Sequence, residues 1–145
     1  MRRSKNFLLA LIITAGFLFC LAAGSLTFVS SPEYQRISPS EAKQWVGTEK
    51  STVLLDVRTP AEHDERHIPG SILIPVDNVE AEALRVIPDK ETVIIVYCRS
   101  GRRSEVAART LVRLGYKKVF DLGGINDWPY EVQQKNNKKV IKADN

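Results

Sequence analysis

Thr92-Val-Ile-Ile-Val-Tyr-Cys-Arg-Ser-Gly-Arg-Arg-Ser104 is the stretch of this chain whose reading decides the fold. It begins as an unbroken hydrophobic run and breaks at Cys98 into a short polar loop. It then passes into Glu105-Val-Ala-Ala-Arg-Thr-Leu-Val-Arg-Leu-Gly115, a helix-patterned segment. A strand apolar on both faces, followed at once by a helix, is the building unit of a parallel sheet covered by helices. The thiol falls at the turn between the two. Backbone N–H groups of the loop and of the first helical turn are expected to face the sulfur, where the helix dipole also favours an anion. Arg99, Arg102 and Arg103 add positive charge, so the thiolate of Cys98, its nucleophilic form, should be populated near neutral pH. A free cysteine is otherwise most often a small buried hydrophobe, a role that the arginines beside it argue against.

The same alternation continues outward. Thr52-Val-Leu-Leu-Asp-Val57 is a second buried-strand pattern, Ser71-Ile-Leu-Ile74 a third and Lys118-Val-Phe-Asp121 a fourth. Between them, Ser38-Pro39-Ser40-Glu41 and Thr59-Pro60-Ala-Glu62 carry capping-box signals with proline at the first helical position. Val79 to Val86 reads as a short helix stopped by Pro88, and Ser31 to Gln35 reads as a linker. Strands alternating with helices predict an α/β domain over residues 35–132, with a mostly parallel central sheet and helices on both faces. In such sheets the ligand site lies beyond the carboxyl ends of the strands. That rule brings Asp56-Val57-Arg58 and Cys98 to Ser104 to one edge.

The 145 residues include 21 Lys and Arg against 17 Asp and Glu, a formal charge of +4. Without Arg2, Arg3 and Lys5 at the N-terminus, 18 basic residues face 17 acidic ones, a net of +1. The folded part is near neutral, and a nucleic-acid partner is not expected. Residues 133–145, with Lys135, Lys138, Lys139 and Lys142, read as a polar, solvated tail. Residues 1–30 pair a basic start with an apolar stretch, the pattern of an export signal, and Ala22-Ala23-Gly24 offers a cleavage site before Ser25. The apolar stretch at 7–29 is also about long enough to be retained as a membrane anchor, and the two readings stay open. Either one exports the domain, leaving it periplasmic or anchored on the outer face of the cytoplasmic membrane. Phe19 before Cys20 does not suit lipidation, so Cys98 is the one cysteine of the exported part and no internal disulfide is expected.

Leu54-Leu-Asp-Val-Arg58, Glu62, His67-Ile-Pro-Gly-Ser-Ile72, Cys98-Arg-Ser-Gly-Arg-Arg-Ser104, Leu114-Gly-Tyr116 and Leu122-Gly-Gly-Ile-Asn-Asp-Trp128 occur in this order. Between Ile37 and Tyr130 the chain therefore resembles a single-domain rhodanese, a thiosulfate sulfurtransferase. The resemblance implies that Cys98 takes the outer sulfur of thiosulfate as a persulfide and passes it to cyanide or a thiol. It implies a substrate-binding loop of Arg99, Ser100, Gly101, Arg102, Arg103 and Ser104, with Arg99 or Arg102 facing substrate more than Arg103. Asp56 and Arg58 are implied as supporting residues, and neither a metal nor an organic cofactor is implied. His67 belongs to a structural turn and His63 is expected on an exposed helical face; with one cysteine they make a poor metal set. A cysteine-based phosphatase is disfavoured, because a Cys-x5-Arg loop would need arginine where Ser104 stands. A non-enzymatic binding module, or a persulfide carrier serving a protein partner, is the remaining alternative.

Overall fold

The computed structural model describes residues 33–48 and 52–134; the apolar leader at 1–30 and nearly all of the 133–145 tail lie outside the described residues. In chain order the elements are β1 (Gln35–Arg36), α1 (Pro39–Thr48), β2 (Thr52–Asp56), α2 (Pro60–Glu65), β3 (Ile72–Leu73), α3 (Val79–Val86), β4 (Val93–Cys98), α4 (Arg102–Arg113) and β5 (Lys118–Gly124). Short 3₁₀ turns occupy Val76–Asn78 and Ile125–Asp127. All paired strands run parallel, in the order β1-β5-β4-β2-β3, which puts β4 at the centre.

The pleat of the central strands sorts the core into two layers. Leu55, Ile94, Val96 and Cys98 pack with Ala83 of α3 and with Ala107 and Leu111 of α4. Leu54, Ile95 and Tyr97 point the other way, into a cluster with Ala42 of α1, Ile68, Ile125 and Trp128. Helices therefore cover both faces, and the strands read as continuous apolar runs because neither face meets water. Each fully buried isoleucine of β4 contributes on the order of 1.5–3 kcal/mol.

Both capping boxes form. Glu41 N–H donates to Ser38 Oγ at 3.3 Å while Ser38 N–H donates to Glu41 Oε2 at 3.0 Å. At α2, Glu62 N–H donates to Thr59 Oγ1 at 3.3 Å and Thr59 N–H donates to Glu62 Oε2 at 3.1 Å.

Two differences from the sequence reading concern edges. Gln35, expected in a linker, pairs with Phe120 in β1, a two-residue polar edge strand too short to carry a periodicity. β5 runs past Asp121 to Gly124 after a register shift opposite Val96 and Tyr97, which brings Gly123 and Gly124 beside Tyr97 and Cys98. Among the described residues, no helix is long and apolar enough to cross a membrane.

Candidate active site

Cys98 is the last residue of the central strand, and its side chain is buried at 1% exposure. The chain then turns back over the sulfur. Gly101 N–H donates to Cys98 Sγ at 3.1 Å, from a backbone at φ +104° that residues with a Cβ rarely adopt. Ser104 Oγ donates to the Gly101 carbonyl at 2.8 Å and lies 3.3 Å from the Gly123 carbonyl, tying the loop to β5. Gly124 underlies the loop so closely that a Cβ there would come within 2.6 Å of the Arg99 carbonyl oxygen and 2.8 Å of Ser100 Cα.

Burial pushes the Cys98 thiol up, but the backbone N–H groups of Ser104, Ser100 and Gly101, helped by the Ser104 hydroxyl, more than offset it. The thiol ends below its ordinary range. This corrects the expectation that the three arginines share in setting the thiolate: the loop backbone leads.

The arginines divide. Arg103 makes a two-pronged pair with Glu62, 2.7 Å on each prong, and its guanidinium is raised chiefly by that carboxylate, with the Cys98 sulfur a smaller cause. Glu62 is held down to about 2, first by Arg103, against burial, and then by Thr59. One carboxylate thus closes the N-terminal turn of α2 and also fixes the first turn of α4. Sequence reading found Glu62 as a cap but missed its second role, since its partner lies 41 residues away. Arg99 and Arg102 are exposed, which leaves them free for an anion as expected. Arg99 also forms one wall of a cavity of about 320 Å³ with Arg58, Glu65, Arg66 and Asn126.

Asp56 and Arg58 meet at the end of β2, next to β4. Both are buried, and Arg58 Nη2 lies 2.6 Å from Asp56 Oδ2 while its Nε donates to Oδ1 at 2.9 Å. Tyr97, the residue before Cys98, donates its hydroxyl to Asp56 Oδ2 at 2.9 Å and accepts the Ile68 N–H at 3.2 Å. Burial would raise Asp56; its bonds from Arg58 and His63 outweigh that and leave it below the usual carboxylate range. Burial and then the Asp56 charge hold the Tyr97 phenol far above its usual value. Asp56 makes no direct contact with the Cys98 loop and bears on it through Tyr97.

His63 corrects a second expectation. It is half-buried, with Nδ1 3.0 Å from Asp56 Oδ2 and its ring stacked on His67 at 4.0 Å. His67 Nδ1 lies 2.8 Å from the His63 carbonyl oxygen, and its backbone bridges to Gln133. Neither ring reaches the sulfur by any hydrogen bond in the described residues. No group of three or more His, Cys, Asp or Glu side chains among those residues is arranged to hold a metal ion.

Known proteins share this arrangement. YrkF of Bacillus subtilis (strain 168), whose name provisionally makes it a sulfur carrier protein, is 39% identical over 111 residues, covering 76% of this chain and 59% of YrkF. The thiosulfate sulfurtransferase PspE of Escherichia coli (strain K12) is 37% identical over 73 residues, 50% of this chain and 70% of PspE. A solved structure described as a rhodanese with anions from E. coli matches with a TM-score of 0.55 at 32% identity, covering 57% of this chain and 98% of that one. The chain thus spans less than two thirds of YrkF. The model of the rhodanese-like domain matches residues 38–131, and the chain belongs to that family.

Proposed function

We propose that the protein is a sulfurtransferase that carries a sulfane sulfur on Cys98, taking it from thiosulfate or a similar donor and giving it to cyanide or a thiol. The observation that carries this reading is the buried Cys98 sulfur, held below its ordinary thiol range by inward-facing N–H groups. The names of PspE and YrkF point the same way. In the first half-reaction the Cys98 thiolate attacks the outer sulfur of thiosulfate; the S–S bond breaks and its electron pair leaves with sulfite. In the second, an acceptor attacks the outer sulfur of the persulfide and the pair returns to Cys98. The N–H groups that stabilise the thiolate also suit the negative persulfide, so both states use one cradle. Arg99 and Arg102 steer the donor oxyanion, and Ser100, Gly101, Arg103 and Ser104 shape the loop. Asp56 and Arg58 brace it through Tyr97.

Intact-protein mass spectrometry after incubation with thiosulfate, then with cyanide, tests the reading. The expected result is one sulfur atom gained, lost again with cyanide, and never gained by Cys98→Ser. A folded, reduced protein that takes up no sulfur overturns it. The YrkF name favours a second reading in which the acceptor is a protein: the same persulfide would form, but small acceptors would discharge it slowly. Residues 1–30 support an exported location. Protease added outside intact cells stripped of their wall should cut the domain; full protection would overturn that location.

A further inference from the structure

The cavity beside the Cys98 loop has charges left over once its internal pairs are counted. Its walls include Arg58 and Glu62, but these are answered by Asp56 and by Arg103. Three charged side chains remain. Arg66 Nη2 donates to the neutral Asn126 Oδ1 at 2.9 Å. Among the described residues, the side chains of Arg99 and Glu65 make no hydrogen bond or ion pair. Two guanidinium groups and one carboxylate therefore face a volume of about 320 Å³, the size of a small-molecule site.

The walls are also fixed in place. The Arg66 carbonyl accepts Arg58 Nη2 at 2.7 Å, which anchors that residue to the buried Asp56 network. The Arg99 carbonyl accepts the Asn126 N–H at 3.3 Å, joining the loop to the turn after β5. A guanidinium held this way binds a carboxylate with little ordering cost.

Resting on the sulfurtransferase reading above, we propose that this cavity receives the acceptor and that the acceptor is a small peptide thiol of the glutathione type, bearing two carboxylates and one ammonium. Arg66 and Arg99 take the carboxylates and Glu65 takes the ammonium, so the charges of ligand and cavity match one for one. Thiosulfate is too small to span the cavity and has no cation for Glu65; a neutral thiol answers none of the three. In the transfer, the bound thiolate attacks the outer sulfur of the Cys98 persulfide. A new S–S bond forms on the acceptor, the protein's S–S bond breaks, and the electron pair returns to Cys98 as thiolate. No oxidant or reductant enters.

Two measurements on the full chain decide the matter. In calorimetric titration with S-methylglutathione, which cannot accept sulfur, saturable binding is expected. It should weaken about tenfold or more in Arg66→Gln and severalfold in the exposed Glu65→Gln, but not in Arg102→Gln, which lies off the cavity. In single-turnover discharge of preformed persulfide, glutathione should outrun 2-mercaptoethanol at equal thiolate concentration. Arg66→Gln should erase that advantage and leave discharge by cyanide unchanged. Absence of saturable binding, binding that both cavity variants leave intact, or equal discharge by the two thiols overturns the proposal. Should Cys98 take no sulfur from thiosulfate, the functional reading fails by itself, and the titration still decides whether the cavity binds the ligand.

Discussion

The carboxyl ends of β2 and β4 lie side by side, and they treat charge in opposite ways. At the end of β2 a buried carboxylate is met by side chains: Arg58, His63 and Tyr97 all bond to Asp56. At the end of β4 a buried sulfur is met by backbone: the N–H groups of Ser104, Ser100 and Gly101 lower its pKa, and the nearest arginine is turned to Glu62. Side chains that bond to each other close a site, whereas backbone donors converging on one atom leave it able to change its charge and its partner. The first arrangement is suited to holding a fold and the second to chemistry.

The largest effect should come from breaking the β2 end. Asp56→Asn leaves the Arg58 guanidinium buried without its counter-charge, at a cost of about 3–5 kcal/mol. Urea unfolding is the check. A variant within about 1 kcal/mol of the parent that nonetheless loads sulfur slowly would make the β2 end part of the chemistry and collapse the contrast. Next comes the backbone cradle. Gly124→Ala places a Cβ 2.6 Å from the Arg99 carbonyl oxygen, and backbone cannot yield as a flexible side chain would. The loop must shift, costing about 1–3 kcal/mol of stability. Sulfur loading should fall about tenfold or more as the donors leave the sulfur. The midpoint of Cys98 alkylation against pH should rise with it; an unmoved midpoint would mean that the cradle is not what holds the thiolate.

These two ends differed in how far the sequence disclosed them. The strands were readable because β2 and β4 are buried on both faces and so carry unbroken apolar runs, and the position of Cys98 followed from where one run stops. Gln35 and Arg36 in β1 were not readable, since two exposed polar residues at an edge leave no pattern. Pairings between distant segments were also hidden. Glu62 and Arg103, or His63 under Asp56, meet only because the sheet brings α2 against the start of α4 and the end of β2. Three arginines next to a cysteine suggested a positive field, yet nothing local said that Arg103 would be claimed by a carboxylate.

That misreading defines a sharper test of the β4 end. If backbone sets the thiolate and arginines steer the donor, Arg99→Gln and Arg102→Gln should each raise the KM for thiosulfate roughly threefold to tenfold. The alkylation midpoint of Cys98 should stay within about half a unit of the parent. A midpoint that climbs toward the reference thiol value in either variant would return the field of the arginines to first place.

The smallest effect concerns the strut between the two ends. Glu62 is held down to about 2 by Arg103, against an unfolded carboxyl near 4.3. A group whose pKa is depressed by folding adds stability that is fully present above the unfolded value and lost as pH falls through the folded one. The parent should therefore lose this contribution between about pH 5 and pH 2. Glu62→Gln should be less stable than the parent at pH 7, and the gap should close as the pH falls through that window. Because the side chains of Glu62 and Arg103 are 24% and 29% exposed, water screens the pair, and the difference at neutral pH should be only about 0.5–1 kcal/mol. Asp56 is also held low, so Glu62→Gln should keep some acid sensitivity of its own. Unfolding curves measured from pH 7 to pH 2 check this. A gap that stays constant with pH would show that Glu62 acts through its cap on α2 alone, leaving the loop's first helical turn held by backbone from end to end.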